Sequence, residues 1–129
     1  MSKQQDTRTN RLRIDPHYSP AVVHNDIVYV SGQLPINRIT FTPVSVLIQD
    51  QTKAVFRQLA EILEKVGSDL SKVLKLTIYL SDMTHWEIVN SICAEFFGEH
   101  KPARTIVPTK ILHYNCLIEL DAIAYIEKK

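Results

Sequence analysis

Two side chains stand out for the chemistry they could do. Arg104 follows Pro102-Ala103 at the start of a strand-like run that ends near Lys110. Glu119 interrupts a second such run, Leu117-Ile118-Glu119-Leu120, within Cys116 to Ile126. A guanidinium can hold a substrate carboxylate through a fork of two parallel hydrogen bonds. A partly desolvated carboxyl can act on a water or relay a proton. If His113-Tyr114-Asn115 turns one run back on the other as a hairpin, the two side chains come near one another. The same residues also read as a structural ion pair, or as two unrelated surface charges.

Other chemistries find no support in the sequence. His17, His24, His85, His100 and His113 are scattered, form no H-x-x-x-H pair and have no suitably spaced carboxylate, so no metal site is expected. Three glycines in the whole chain argue against a phosphate-cradling loop, and there is no G-x-S-x-G elbow. Cys93 falls on an apolar helical face. It and Cys116 lack C-x-x-C spacing and read as buried free thiols, in keeping with a reducing, cytoplasmic setting. Fifteen Lys and Arg against fourteen Asp and Glu leave a net charge of +1, which gives no electrostatic footprint for nucleic acid. No apolar run approaches the ~20 residues of a membrane span, and Met1 to Asn10 lacks the apolar stretch of a signal peptide.

The elements that must position Arg104 and Glu119 follow from periodicity. The chain has 129 residues, the length of one domain. Residues 1–12 are polar and expected to be poorly ordered, with a single domain over 13–129. Two β-rich runs, Ala21-Val22-Val23-His24 and Ile27-Val28-Tyr29-Val30-Ser31, flank Asn25-Asp26 and predict a hairpin. From about Val46 to Val66, Ile48, Val55, Leu59, Ile62 and Leu63 share one helical face, and Gly67 stands at the C-cap. Leu74, Leu76, Ile78 and Leu80 alternate as the inward face of a strand. Thr84-His85-Trp86-Glu87 has the spacing of a capping box. It opens a second helix with Trp86, Val89, Ile92, Cys93, Phe96 and Phe97 inward. The order β-β-α-β-α-β-β predicts an α+β domain, a four- or five-stranded sheet with two helices on one face. The other face, carrying Leu117, Glu119, Asp121, Ile123 and Tyr125 on the last strand, is half apolar. It suits either burial against another subunit or an ordinary solvated sheet face.

At this point the sequence resembles a known family. Ser31-Gly32-Gln33-Leu34-Pro35 follows an apolar strand, and Gln51-Thr52 lies at the start of the long helix. Val89-Asn90 and Phe96-Phe97 sit on the second helix. Pro102-Ala103-Arg104-Thr105 precedes Ile118-Glu119-Leu120-Asp121-Ala122-Ile123-Ala124. This ordered set, from about Tyr18 to Ala124, is similar to the Rid (reactive intermediate deaminase, or YjgF) family. The resemblance implies a chorismate-mutase-like α+β fold with a mixed sheet. It also implies a homotrimer around a central β-barrel, with active sites between subunits.

The implied activity is hydrolysis of 2-imino acids, such as 2-iminobutanoate or 2-iminopropanoate, to 2-oxo acids and ammonia. By position, Arg104 matches the arginine that holds the substrate carboxylate, and Glu119 the glutamate that positions water and assists proton transfer. Tyr18 matches an aromatic that closes the site, Ser31 a residue of the pocket wall and Asn90 a polar residue near the cleft. The backbone at Ile106 would supply a carbonyl to water or the leaving nitrogen. No metal or cofactor is implied. Ile106 stands where close relatives carry cysteine, and His113-Tyr114 replaces a proline-containing turn. Such departures also suit a non-catalytic protein of the same family that binds small carboxylates or a partner. An RNA-cleaving translation inhibitor is the third reading, and the near-neutral charge weighs against it.

Overall fold

Asn25 and Asp26 adopt left-handed backbone, with φ of 50° and 62°. That is the pair of conformations a type I′ turn demands, and it matches the twist of the strands it joins. The predicted hairpin forms there. In the computed structural model, residues 16–128 are described in full. Ahead of them only the backbone of β1 (Lys3–Asp6) and β2 (Arg11–Ile14) is described, as an antiparallel pair. The expected poorly ordered segment 1–12 lies outside the fully described residues. The hairpin is β3 (Ala21–His24) and β4 (Ile27–Gln33), followed by α1 (Ile48–Lys65) and β5 (Val73–Leu80). The chain continues as α2 (Trp86–Phe97), β6 (Ala103–Pro108) and β7 (Ile118–Tyr125).

The five strands form one mixed sheet in the order β3-β4-β7-β5-β6, and the architecture is the predicted α+β. Val28 and Val30 of β4, Leu76 and Ile78 of β5, and Leu120 and Ala122 of β7 are buried with Val55, Leu59 and Leu63 of α1 and Val89, Ile92 and Phe97 of α2. Each large apolar side chain taken fully from water contributes about 1.5–3 kcal/mol, which is why both helices settle on this one face. Phe56 stacks on Phe96 at 5.3 Å and meets Phe97 edge-on at 5.8 Å, joining α1 to α2. Helix α1 ends at Gly67, φ 87°, where Ser68 N–H donates to the Leu63 carbonyl at 2.8 Å and Gly67 N–H to Glu64 at 3.2 Å. That is a Schellman cap.

Three expectations are corrected. β6 and β7 do not form a hairpin: β6 runs parallel to β5 through the α2 crossover, and β5 lies between β6 and β7. Leu74 does not face the core. The register shifts between Val73 and Lys75, so Val73 is buried and Leu74 is 46% exposed. Thr84 builds no capping box; Asp82 Oδ1 accepts from Thr84 N–H at 2.9 Å and from its hydroxyl at 2.7 Å, capping a 3₁₀ turn (Met83–His85) that leads into α2.

Among the described residues, loops cover the sheet's second face at one end. The loops around Ile36 and Leu112 fold over it and, with Cys116, Leu34, Phe41 and Tyr79, make a small satellite core. Away from that end Val22, Tyr29 and Tyr125 are exposed, and Val22, Tyr29 and Ile123 lie in one row across three strands.

Candidate functional site

Register places the two candidate catalytic side chains on opposite faces of the sheet. Arg104 pairs with Leu76, a buried residue on the helix face. Glu119 lies between buried Ile118 and Leu120 and pairs with Tyr79 on the other face. Three residues along β5 and two strand spacings separate the two positions, about 14 Å between backbones. Within one chain they do not meet, neither as an ion pair nor as a joint site.

Arg104 has two neutral holders. Its guanidinium donates to Asn90 Oδ1 of α2 at 3.0 Å and lies over the Trp86 ring, with Cζ 5.7 Å from the ring centroid. Among the described residues no carboxylate pairs with it. The side chain is partly buried and opens into a cleft of 490 Å³ that it shares with Asn90, Cys93, His100 and Lys101. His100 is committed to structure through a 2.7 Å hydrogen bond between Nε2 and the Val73 carbonyl. Among the described residues no acidic side chain lines that cleft. Ile106 lies two residues along β6, the edge strand, with its side chain against the main core.

Glu119 lies behind a second cleft, against Gly32 of its wall. Between Val30 and Gln33 the β4 strand carries one residue more than β7, so Ser31 and Gly32 bulge opposite Asp121. The Glu119 carboxyl lies against Gly32 so closely that a Cβ there would stand 2.5 Å from Oε2. Gly32 is required for close approach, since its φ is not left-handed. From Gly32 a cleft of 260 Å³ opens between Tyr18, Arg38, His113 and Tyr114. Burial raises the Glu119 pKa above the ordinary glutamate value, the Asp121 charge raises it further, and His113 pulls it back. Beside it, burial and the Glu119 charge push the Cys116 thiol up to about 11.

Loops set this geometry. Ser31 Oγ donates to the Ser19 carbonyl at 2.5 Å and Ser31 N–H to Pro20 at 2.9 Å, which fixes the approach of Tyr18. The Gln51 amide, 1% exposed, donates to the Ser45 carbonyl and accepts from Leu117 N–H, both at 2.8 Å. It thereby ties the start of α1 to the entry of β7, two residues before Glu119. Tyr114 and Asn115 turn with φ of 57° and 60°, which brings His113 and Tyr114 to the cleft.

The sequence-derived residues thus gather as two separate groups: Arg104, Asn90 and the Ile106 strand on one side of the sheet, Tyr18, Ser31 and Glu119 on the other. Sequence reasoning took Trp86 for a core residue, yet it is 39% exposed and carries the arginine. It left His113 and Tyr114 as a plain turn. Among the described residues no group of three or more His, Cys, Asp and Glu could hold a metal, and no helix is long and apolar enough to cross a membrane.

Residues 9–126 match the sequence model of a family described as Endoribonuclease L-PSP. A chloroplastic Reactive Intermediate Deaminase A of Arabidopsis thaliana is 38% identical over 83% of this chain and 57% of its own. The chain belongs to the Rid family. A RutC family protein of Pyrococcus horikoshii is 42% identical over 85% of this chain and 87% of its own. The crystal structure of RidA from an Antarctic Psychrobacter superposes with a TM-score of 0.81 at 30% identity, over 86% and 89% of the two chains.

Proposed function

We propose that this Rid family protein hydrolyses 2-imino acids, such as 2-iminobutanoate or 2-iminopropanoate, to 2-oxo acids and ammonia. The observation that carries the reading is the Arg104 guanidinium, ordered by an amide oxygen and an aromatic face and unpaired with any described carboxylate. An ordered cation without a counter-ion is a receptor for an incoming carboxylate. The name of the Arabidopsis relative supports the reaction class.

The chemistry asks little of the protein. Arg104 holds the carboxylate and fixes the C=N carbon. Glu119 orients a water and takes its proton as the oxygen adds. With the imine nitrogen protonated at the outset, this gives a neutral carbinolamine; Glu119 returns the proton to nitrogen, ammonia leaves, and the hydroxyl gives up its proton as the 2-oxo group forms. Positioning and one placed acid–base group supply the acceleration. Because Arg104 and Glu119 lie on opposite faces, this reading needs both from different copies of the chain. We therefore place the site between subunits of a homotrimer whose sheets line a central barrel. The row of exposed Val22, exposed Tyr29 and half-buried Ile123 is the surface such an assembly would cover.

The test generates a 2-imino acid in situ and measures ammonia release. Arg104→Ala should lower kcat/KM by roughly 10²–10³-fold, the worth of a charge-assisted fork. An Arg104→Ala protein as active as wild type would refute the anchor. Saturable binding of a 2-oxo acid without turnover of any imine would establish the carboxylate-binding alternative instead.

A further inference from the structure

We propose that Trp86 is a positioning residue for the carboxylate anchor, an aromatic platform that keeps the Arg104 guanidinium ordered while leaving its charge free for the ligand. The inference rests on the reading of Arg104 given above and adds a residue that its amphipathic pattern had assigned to the core.

Three observations carry it. First, the indole is not sealed in the core: it is 39% exposed, whereas Val89, Ile92, Cys93 and Phe97 of the same helix are all buried. Second, the arginine lies over the ring, Cζ 5.7 Å from the centroid. Third, Trp86 and Asn90 are four residues apart on α2, hence one above the other on one face. That face presents an aromatic plane and an amide oxygen to a single guanidinium. A carboxylate in either place would also order the arginine, but it would neutralise it and compete with the ligand. A π-face attracts the cation through its quadrupole without cancelling the charge. Asp82 fixes where this face begins, by capping the 3₁₀ turn that runs into Trp86.

The chain has one tryptophan, so ligand binding at Arg104 can be read directly from its fluorescence. Wild type, Trp86→Phe, Trp86→Leu and Arg104→Ala would be compared as purified full-length chains. 2-Oxobutanoate serves as the binding probe, followed by calorimetry and, in wild type and Arg104→Ala, by emission. A 2-imino acid generated in situ serves as substrate. Trp86→Leu should weaken 2-oxobutanoate binding and raise KM by roughly 3- to 30-fold, the span of a cation–π contact from exposed to desolvated. Its kcat should change less than its KM. Trp86→Phe, which keeps a weaker ring face, should recover most of the loss. The wild-type emission should change saturably with 2-oxobutanoate, and Arg104→Ala should abolish that change. Equal affinity and KM in wild type and Trp86→Leu would overturn the proposal, as would a Trp86→Phe protein no better than Trp86→Leu. Those results leave the anchor itself standing. If instead Arg104→Ala binds and turns over as wild type does, the anchor reading falls, and the platform falls with it.

Discussion

At the scale of single residues, the Gly32–Glu119 contact offers a test of the proposed role of Glu119 apart from folding. A Cβ at Gly32 would stand 2.5 Å from Glu119 Oε2 and 3.3 Å from its Cδ. Both atoms belong to the far end of a flexible side chain, so the carboxyl can swing away at little cost to the fold. Gly32→Ala should therefore unfold within about 1 kcal/mol of wild type yet lose about tenfold or more in kcat, because the displaced carboxyl no longer holds its water. A denaturant melt beside an ammonia-release assay checks both halves.

If Glu119 is the base of the proposed reaction, the same carboxyl sets the pH dependence. Its pKa is raised, first by burial and then by Asp121, with His113 opposing. A carboxylate acting as base is lost as pH falls through that raised value, so the acidic limb of kcat/KM should lie above the ordinary glutamate range. His113→Gln removes the opposing positive charge and should move the limb to higher pH. Asp121→Asn should move it lower while the amide oxygen still accepts from the Tyr79 hydroxyl, now 3.0 Å from Asp121 Oδ2. A limb unmoved by both variants would exclude Glu119 as its source. For stability, a carboxyl whose folded pKa is raised favours the fold when protonated, a contribution lost as pH rises through the folded value. Glu119→Gln should accordingly raise Tm near pH 7, with the gain vanishing in acid.

At the scale of elements, the sequence spoke clearly where local geometry is enough. Asn25-Asp26 between two β-rich runs forces a tight hairpin, and Gly67 after an apolar helical stripe forces its end. The first of these can be improved. Asp26 holds a φ of 62°, which glycine adopts without the steric cost a Cβ imposes. Asp26→Gly should stabilise the fold by up to about 1 kcal/mol, less what is lost with the exposed Lys128 pairing at 3.3 Å. Equilibrium denaturation measures the sum. What the sequence hid was partnership between strands. Alternation tells which way a residue points along its own strand but not which strand lies beside it, and the tight turn at residues 113–115 invited a β6–β7 hairpin. In the fold that turn closes the satellite core instead, and β6 returns beside β5 through α2. Trp86 misled for a related reason. It sits on the apolar stripe of α2, but at the helix's first residue, where the ring reaches Arg104 on the edge strand. Arg104 and Glu119 were legible as chemistry, since each is an ionisable group in an apolar strand. Their placement on opposite faces needed the sheet order.

At the scale of the whole molecule, that placement makes a prediction about copies of the chain rather than about one. If an active site takes its guanidinium from one subunit and its carboxyl from the next, Arg104→Ala and Glu119→Gln damage different halves of it. Each homo-oligomer lacks one half everywhere and should be nearly inactive. Unfolded together in equal amounts and refolded, the two chains assort at random in a closed ring. About one quarter of the interfaces then pair an intact arginine with an intact glutamate, because each half is supplied intact with a probability of about one half. The mixture should regain about a quarter of wild-type activity, whereas the two proteins mixed without unfolding should regain it only as fast as subunits exchange. A site contained within one chain gives a different result, since every chain in the mixture then carries a defect and no activity returns. Light scattering of wild type under the same conditions should show three copies per particle. A monomer that hydrolysed imines would contradict the shared site, for within one chain the sheet itself stands between the two groups.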